Sequence, residues 1–261
     1  NTQTKPEKKQ PIIKQMTNVD KTVSHLYRVI QKSTGSVGGY GHNGPIYGEI
    51  TMGTFQKVVD ALAEHTGFDA SSSFVDIGSG LGKPNLHVAL NPGVRLSYGV
   101  ELEELRWQLS MHNLRFVLNE VAEMRKSVVY FGHDDATNME SFEPFTHVYM
   151  FDVGFPPAVL VSLANAFNIS KSVKGLVSFQ RPDRVIGVYG FNVDLITQIT
   201  TRMNGSTETH TAYIYAAKAS KGRRQLQIDF PSSPVKKASS ASPTKTPVEE
   251  EIKSEENVAA P

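Results

Sequence analysis

An acid, a set of spaced glycines and a second acid are the residues of this chain best suited to chemistry. Asp76 stands two residues before Gly78, and Gly80 and Gly82 follow at alternate positions. Glycines let the backbone turn tightly and let a ligand approach it closely. About twenty residues further on, Glu101 ends an apolar segment, where a carboxylate can accept both hydroxyls of a ribose. The pattern predicts a nucleotide-type cofactor site.

The spacing of the glycines indicates which cofactor. The dinucleotide fingerprint G-x-G-x-x-G, laid on Gly78 and Gly80, requires Gly or Ala at position 83, and this chain has Lys83. Pro84 follows, and proline is well tolerated in the first turn of a helix. The spacing suits instead the S-adenosylmethionine loop of Rossmann-like methyltransferases, which has no pyrophosphate to cradle. The alternative is a tight strand-to-helix turn without a ligand, and Glu101 counts against it.

Apolar strands and periodic helices alternate along the rest of the chain, and this alternation positions the loop. Helices are predicted from Val19, capped near Asn18 or Asp20, and around Phe55 with an end at Gly67, then over 102–121 and 158–167; strands are predicted over 74–77, 98–101, 127–131, 146–151, 175–179, 195–201 and 211–218. We therefore predict an α/β protein, a Rossmann-like class I S-adenosylmethionine-dependent methyltransferase. Its sheet should be seven-stranded and mostly parallel, with an antiparallel edge and an N-terminal helical segment.

Two further groups of residues follow predicted strands at the edge where ligands bind in open α/β sheets. Asp134 or Asp135, after the third strand, is placed to accept the exocyclic N–H of an adenine, and the sequence does not choose between them. After the fourth strand, Asp152 and Phe155 should line the pocket of the methyl acceptor.

Composition limits the other possibilities. The chain has 261 residues, 39% hydrophobic and 9% aromatic, enough for one sizeable core, and its formal net charge is only +1. It has no cysteine, which excludes disulfides, thiolate zinc sites and a cysteine nucleophile and fits a reducing interior. No long apolar run suggests a membrane span, and no histidine spacing suggests a metal site, so we expect a soluble intracellular protein without a metal.

Composition predicts four segments along the chain. We expect a mobile basic arm at 1–17, N-terminal helices and a glycine-rich lid loop at 18–72, the methyltransferase core at 73–220 and a disordered tail at 221–261. The glycine-rich loop suits a lid over the cofactor, and a plain surface connection is the alternative. The basic residues of arm and tail suit contact with nucleic-acid phosphates, and solvated tails are the alternative.

Three motifs in order carry a family resemblance. Tyr47-Gly48-Glu49, the loop 75–82 and the segment 98–101 resemble the disruptor-of-telomeric-silencing class of histone H3 lysine methyltransferases. This class lacks the SET domain, and the compactness of the present chain is similar to its kinetoplastid members. The resemblance spans about residues 44–218 and implies methyl transfer from S-adenosylmethionine.

The resemblance also implies the role of individual residues. The segment Tyr47 to Ile50 matches the loop that closes over the methionine end of the cofactor, and Glu101 matches the ribose acid. Asp134 and Asp135 fall at the adenine acid, although the aromatic that follows it in the family is absent. The full set implied for the cofactor is Tyr47, Gly48, Glu49, Ile50, Asp76, Gly78, Ser79, Gly80, Gly82, Lys83, Glu101, Asp134 and Asp135.

The acceptor loop departs from the family. Asp152 stands where the family has an asparagine, whereas Phe155 is retained. Tyr213 matches the aromatic wall of the lysine channel, and Ser178 matches a serine of the channel. Asp152 would either change the number of methyl groups added or pair with the incoming lysine ammonium.

The resemblance implies a substrate and partners: a lysine in the globular core of nucleosomal histone H3, bound in the nucleus, with nucleosomal DNA held by the arm or the tail. Two alternatives remain. One is a methyltransferase of RNA or a small molecule, which the absence of an Asn-Pro-Pro-Tyr-type motif at 152–155 disfavours. The other is a binding module that keeps the cofactor fold without catalysis. The sequence does not predict the oligomeric state.

Overall fold

A computed structural model describes residues 16–35, 48–204 and 207–218. Five α-helices lie in these ranges: α1 (Met16–Thr34), α2 (Met52–Thr66), α3 (Lys83–Leu90), α4 (Glu104–Glu120) and α5 (Pro157–Ile169). Seven strands form the sheet: β1 (Ser73–Ile77), β2 (Leu96–Glu101), β3 (Val128–His133), β4 (His147–Met150), β5 (Gly175–Ser178), β6 (Val193–Arg202) and β7 (Thr209–Ala217). Tyr47, the predicted tail, most of the glycine-rich loop and the predicted arm up to residue 15 lie outside the described residues. Met16 and Thr17, assigned to the arm from the sequence, belong to α1.

The strand order is β3-β2-β1-β4-β5-β7-β6, and every pairing is parallel except the two made by β7. The predicted α/β fold with a seven-stranded, mostly parallel sheet is therefore confirmed. The edge of the sheet is antiparallel as predicted, because β6 is the outermost strand and pairs antiparallel with β7, which lies between β5 and β6. The carboxyl ends of β1, β2, β4 and β5 meet at one side of the sheet, where ligands bind in such folds.

Helices cover both faces because the buried strands are apolar on both faces. β1 and β4 are buried along their whole length. Val75 of β1 packs in a cluster with Leu160 of α5, whereas the neighbouring Phe74 packs in another with Phe55 of α2. Successive side chains of a strand point to opposite faces, so β1 alone joins two hydrophobic layers. A third cluster joins α1, α3 and α4.

Several elements differ from the predictions. α1 already includes Met16, so the helix begins before Asn18 and Asp20, the two predicted caps. β3 continues to His133, two residues past its predicted end. A π-helical turn over Asp183–Val188 was not predicted. By contrast, α2 ends as predicted at Gly67, whose φ of +70° suits glycine and whose N–H donates to the Leu62 carbonyl.

Candidate active site

A cavity opens at the carboxyl side of β1, β2 and β4, and its lining divides into a polar and an apolar part. The polar part includes the acids expected at the cofactor, a serine and a buried lysine: Glu49, Asp76, Ser79, Lys83, Glu101, Asp134 and Asp135. The apolar part includes aromatic and aliphatic side chains: Ile50, Tyr149, Phe151, Phe155, Pro156 and Val159. A site of this kind accommodates a ligand that is polar at several points and apolar elsewhere.

The glycine loop takes the backbone conformations that its sequence predicts. Gly78, Gly80 and Gly82 have φ values of +75°, +55° and +79°. The Gly78 N–H donates to the Val100 carbonyl of β2 over 2.8 Å, which holds the loop on the neighbouring strand. α3 then begins with Lys83, and Pro84 occupies its first turn as predicted.

Replacing Gly78 by alanine is expected to lower the free energy of unfolding by about 1–2 kcal/mol, because left-handed backbone disfavours a Cβ atom by that amount. The new Cβ atom would also lie 3.2 Å from Cζ of Phe155. Gly53 in α2 is the matched control, since its Cβ atom would meet nothing within 4 Å. Urea unfolding that finds the two alanine variants equally stable would contradict the strain at Gly78.

Glu101 connects the glycine loop to the end of β2. Its carboxylate is buried, and Oε2 accepts the Gly80 N–H over 2.7 Å while Oε1 accepts the Glu103 N–H over 2.9 Å. Each carboxylate oxygen has further acceptor capacity, so these bonds leave Glu101 able to accept from a ligand. The predicted ribose acid therefore lines the cavity in a fixed orientation.

Asp76 and Ser79 each have a buried side-chain oxygen to which a cofactor could bind. Oδ2 of Asp76 and Oγ of Ser79 are buried and make no hydrogen bond among the described residues. Burial, and then the charge of Glu101, raise the pKa of Asp76 well above its usual value. An unsatisfied buried acceptor is costly, and a positively charged donor would remove that cost. The amino group of a bound amino-acid moiety is such a donor, so the residues fit the implied cofactor.

Glu49 and Lys83 form a buried ion pair within the cavity lining. Lys83 begins α3, whereas Glu49 lies in the segment that precedes α2. That segment is itself fixed, because the Glu49 carbonyl accepts the Asn204 N–H over 2.7 Å and Ile50 forms a β-bridge with Met203. Gly48 fits closely here, since a Cβ atom would lie 3.0 Å from Phe151. This segment, residues 48–50, is the described part of the predicted closing loop, and we call it the closing segment. It joins the glycine loop to the end of β6.

Asp134 and Asp135 both line the cavity, and both also stabilise the turn after β3. Oδ1 of Asp134 accepts from the amide of Asn138, and Oδ1 of Asp135 accepts the Thr137 N–H at the start of the short 3₁₀ helix Ala136–Asn138. Either acid remains available to an adenine, and the choice between them stays a prediction.

Of the four residues predicted for the acceptor site, one lines the cavity and three do not. Phe155 lines the cavity beside the glycine loop. Asp152 and Ser178 are 0% exposed and are not among the described lining residues. Tyr213 is half-buried opposite Ser178 in the β5–β7 pairing and does not line the cavity either. The expectation that Asp152 lines the acceptor pocket is not met, because its side chain points into the junction between β4 and β5.

Sequence reasoning missed Phe151 and Tyr149, which belong to the apolar lining. The Phe151 ring lies edge-on to Phe179 and His210, with centroids 4.8 Å and 5.4 Å apart. Phe151 directly follows β4, so the rule that ligands lie at the carboxyl ends of strands offered a signal for it.

The described residues contain no group of three acids or histidines placed to hold a metal, and no described helix is long and apolar enough to span a membrane.

The family model described as histone methylation protein DOT1 matches residues 40–146. The segment is thus similar to the DOT1 family over 107 of the 261 residues. The matched residues include the closing segment, the glycine loop, Glu101 and both acids after β3, so the DOT1 segment covers the polar part of the cavity. The resemblance given by the three sequence motifs is thereby confirmed. No curated sequence relative matches the chain.

Solved structures of methyltransferases share the fold. A candidate RNA methyltransferase from Pyrococcus horikoshii superposes with a TM-score of 0.50 at 15% identity, covering 80% of this chain and 100% of that one. Magnesium protoporphyrin IX methyltransferase from Synechocystis, with bound S-adenosyl-homocysteine, gives 0.49 at 14% identity over 76% and 96%. A methyltransferase from Thiobacillus denitrificans, also in complex with S-adenosyl-homocysteine, gives 0.47 at 12% over 75% and 98%.

At 15% identity the first of these structures shows the fold alone. The chain has the Rossmann-like class I fold of S-adenosylmethionine-dependent methyltransferases, as the sequence predicts.

Proposed function

We propose that the chain is a histone-lysine N-methyltransferase that transfers methyl groups from S-adenosylmethionine to a lysine in the globular core of nucleosomal histone H3. The observation that supports this most directly is the DOT1-family segment over residues 40–146, whose acids and glycines line one cavity beside aromatic side chains. Nuclear residence and contact with nucleosomal DNA through residues 1–17 or 221–261 are parts of the same proposal.

The polar part of the cavity holds the cofactor. When bound, S-adenosylmethionine supplies an electrophilic methyl group on a sulfonium centre. Glu101 binds the ribose hydroxyls, and Asp134 or Asp135 binds the adenine amino group. Asp76 accepts from the amino group of the methionine moiety through the oxygen that has no hydrogen bond among the described residues. Glu49 and Lys83 hold the closing segment against the cofactor loop.

The apolar part of the cavity prepares the acceptor. A lysine amine must be neutral to react, and with a reference pKa near 10.4 its deprotonation at pH 7 costs about 4.6 kcal/mol. Phe151 and Phe155 exclude water from the amine, and removal from water disfavours the ammonium form and so lowers that cost. Alignment of the amine by the same rings supplies a further part of the rate.

The test is the transfer of labelled methyl groups from the cofactor to intact nucleosomes, free histones and RNA by the full chain and by a variant that lacks residues 221–261. We expect label on histone H3 of intact nucleosomes, less label on free histones and none on RNA. Nucleosome activity that falls at high salt, together with weaker activity and a shallower salt dependence in the variant without the tail, would support a phosphate contact by the tail.

Label on RNA but not on nucleosomes would reject the histone substrate and favour the RNA alternative. Binding of cofactor without transfer to any of these acceptors would favour a catalytically inactive binding module.

A further inference from the structure

Asp152 occupies a fully buried junction between the ends of β4 and β5. Its Oδ2 accepts the Ser178 hydroxyl over 2.5 Å, and its Oδ1 accepts the Phe179 N–H over 2.7 Å. The side chain is 0% exposed. Both carboxylate oxygens are therefore bound to β5 and the residue after it, and the side chain does not face the cavity.

The backbone of Asp152 continues this connection into the loop after β4. Its carbonyl accepts the amide of Gln180 over 2.9 Å and the Phe155 N–H over 3.1 Å. Asp152 thus lies between Phe151 and Phe155, whose rings line the cavity. A displacement of Asp152 would move both rings, since each is at most three residues away in the same turn.

We propose that Asp152 is a positioning residue for methyl transfer, which fixes the turn carrying Phe151 and Phe155 through Ser178 and the Phe179 N–H and does not touch the acceptor amine. The inference rests on the proposed function for its substrate, but the hydrogen bonds that carry it are independent of that substrate. It assigns to Asp152 neither of the roles that the sequence suggested.

The positioning depends on the protonation state of Asp152. Burial raises the pKa of Asp152 to about 6, against the opposing effect of its hydrogen bonds to Ser178, Phe179 and Gln180. The titratable groups nearby are Tyr149 of β4 and Tyr215 of β7, whose pKa values burial raises further above 10, so both stay neutral. Asp76 acts on Tyr149 and Asp183 acts on Tyr215, and neither contributes to the shift at Asp152.

The sign of the pH effect follows from the hydrogen bonds. Above a pH of about 6 the ionised carboxylate accepts from both partners, whereas below it the added proton makes one oxygen a donor. At every pH an asparagine keeps the hydrogen bonds of the protonated acid, since it accepts the Phe179 N–H and donates to the Ser178 oxygen. The ratio of wild-type kcat to Asp152→Asn kcat should therefore fall towards 1 as the pH drops through about 6.

The experiment compares wild type, Asp152→Asn, Asp152→Ala and Ser178→Ala on the acceptor that wild type methylates, from pH 5 to pH 8. We expect Asp152→Ala to lose kcat about 100-fold, the loss that follows from a misplacement of about 1 Å, with little change in cofactor affinity. Asp152→Asn should retain most of the wild-type kcat at pH 8, and Ser178→Ala should be intermediate. Amide hydrogen exchange should show faster exchange at Phe155 and Phe179 in Asp152→Ala.

Asp183→Asn is the control for removal of a nearby acid, since Asp183 is exposed and its carboxylate accepts from the guanidinium of Arg181 at the surface. It should follow the wild-type pH profile. If Asp152→Asn were as inactive as Asp152→Ala at pH 8, with amide exchange unchanged, the carboxylate would act on the substrate and the inference would be overturned. Full kcat in Asp152→Ala would overturn it as well. Failure of the wild type on every acceptor would instead refute the proposed function, while the exchange measurement would still test the hydrogen bonds.

Discussion

Replacing Glu101 by glutamine is expected to weaken binding of S-adenosyl-homocysteine about 100-fold, because a hydrogen bond to a charged group contributes about 1.5–3 kcal/mol. The glutamine has one acceptor oxygen, whereas the Glu101 carboxylate accepts from both the Gly80 N–H and the Glu103 N–H. The substitution therefore weakens the ribose contact and loosens the glycine loop together. Titration calorimetry on the two proteins measures the difference.

Glu104→Gln is the matched control for this experiment. Glu104 is exposed at the start of α4, and its carboxylate accepts from the side-chain amide of Gln108 one helical turn away. Its replacement should leave cofactor affinity unchanged. If Glu101→Gln bound the ligand as tightly as Glu104→Gln, Glu101 would not be the ribose acid.

Breaking the buried ion pair between Glu49 and Lys83 should have the second large effect, on the stability of the fold. Lys83→Met is expected to lower the free energy of unfolding by about 3–5 kcal/mol, because it leaves a carboxylate buried without the ammonium that faces it. The Glu49 and Lys83 side chains are 3% and 6% exposed, so water offers little compensation. The double variant Glu49→Gln, Lys83→Met should regain much of this stability, because a neutral pair carries no uncompensated charge.

The double variant separates stability from binding. Since both side chains line the cavity and hold the closing segment, cofactor affinity should remain low even where stability is regained. Arg181→Met is the control, because its pair with Asp183 is 71% and 63% exposed and should contribute less than about 1 kcal/mol. Urea unfolding in which the double variant is no more stable than Lys83→Met would contradict the assignment of the loss to removal of the Lys83 ammonium from the buried Glu49 carboxylate.

The cofactor side of the site was predictable from the sequence because its chemistry depends on the backbone. Gly78, Gly80 and Gly82 need positive φ values that few other residues adopt, and Glu101 follows at the end of the next strand. Patterns of this kind identify a residue's position and its role together. Apolar runs likewise predicted the seven strands, since buried parallel strands are apolar on both faces.

The acceptor side was less predictable because it depends on the direction of side chains after a strand ends. Asp152 and Phe151 are adjacent, yet Phe151 lines the cavity and Asp152 is buried behind it. The direction of the Asp152 side chain is set by its hydrogen bonds to Ser178 and to the Phe179 N–H, which lie 26 and 27 residues away in the sequence. The position of β7 inside the sheet is likewise set by strand pairing that a local pattern does not record.

Calorimetric titration of the full chain with S-adenosyl-homocysteine, beside a nicotinamide dinucleotide, tests the central claim most directly. The account predicts saturable binding of S-adenosyl-homocysteine at one site and no binding of the dinucleotide, because Lys83 stands where a dinucleotide loop requires a small residue. Binding of the dinucleotide with no heat from S-adenosyl-homocysteine would contradict it.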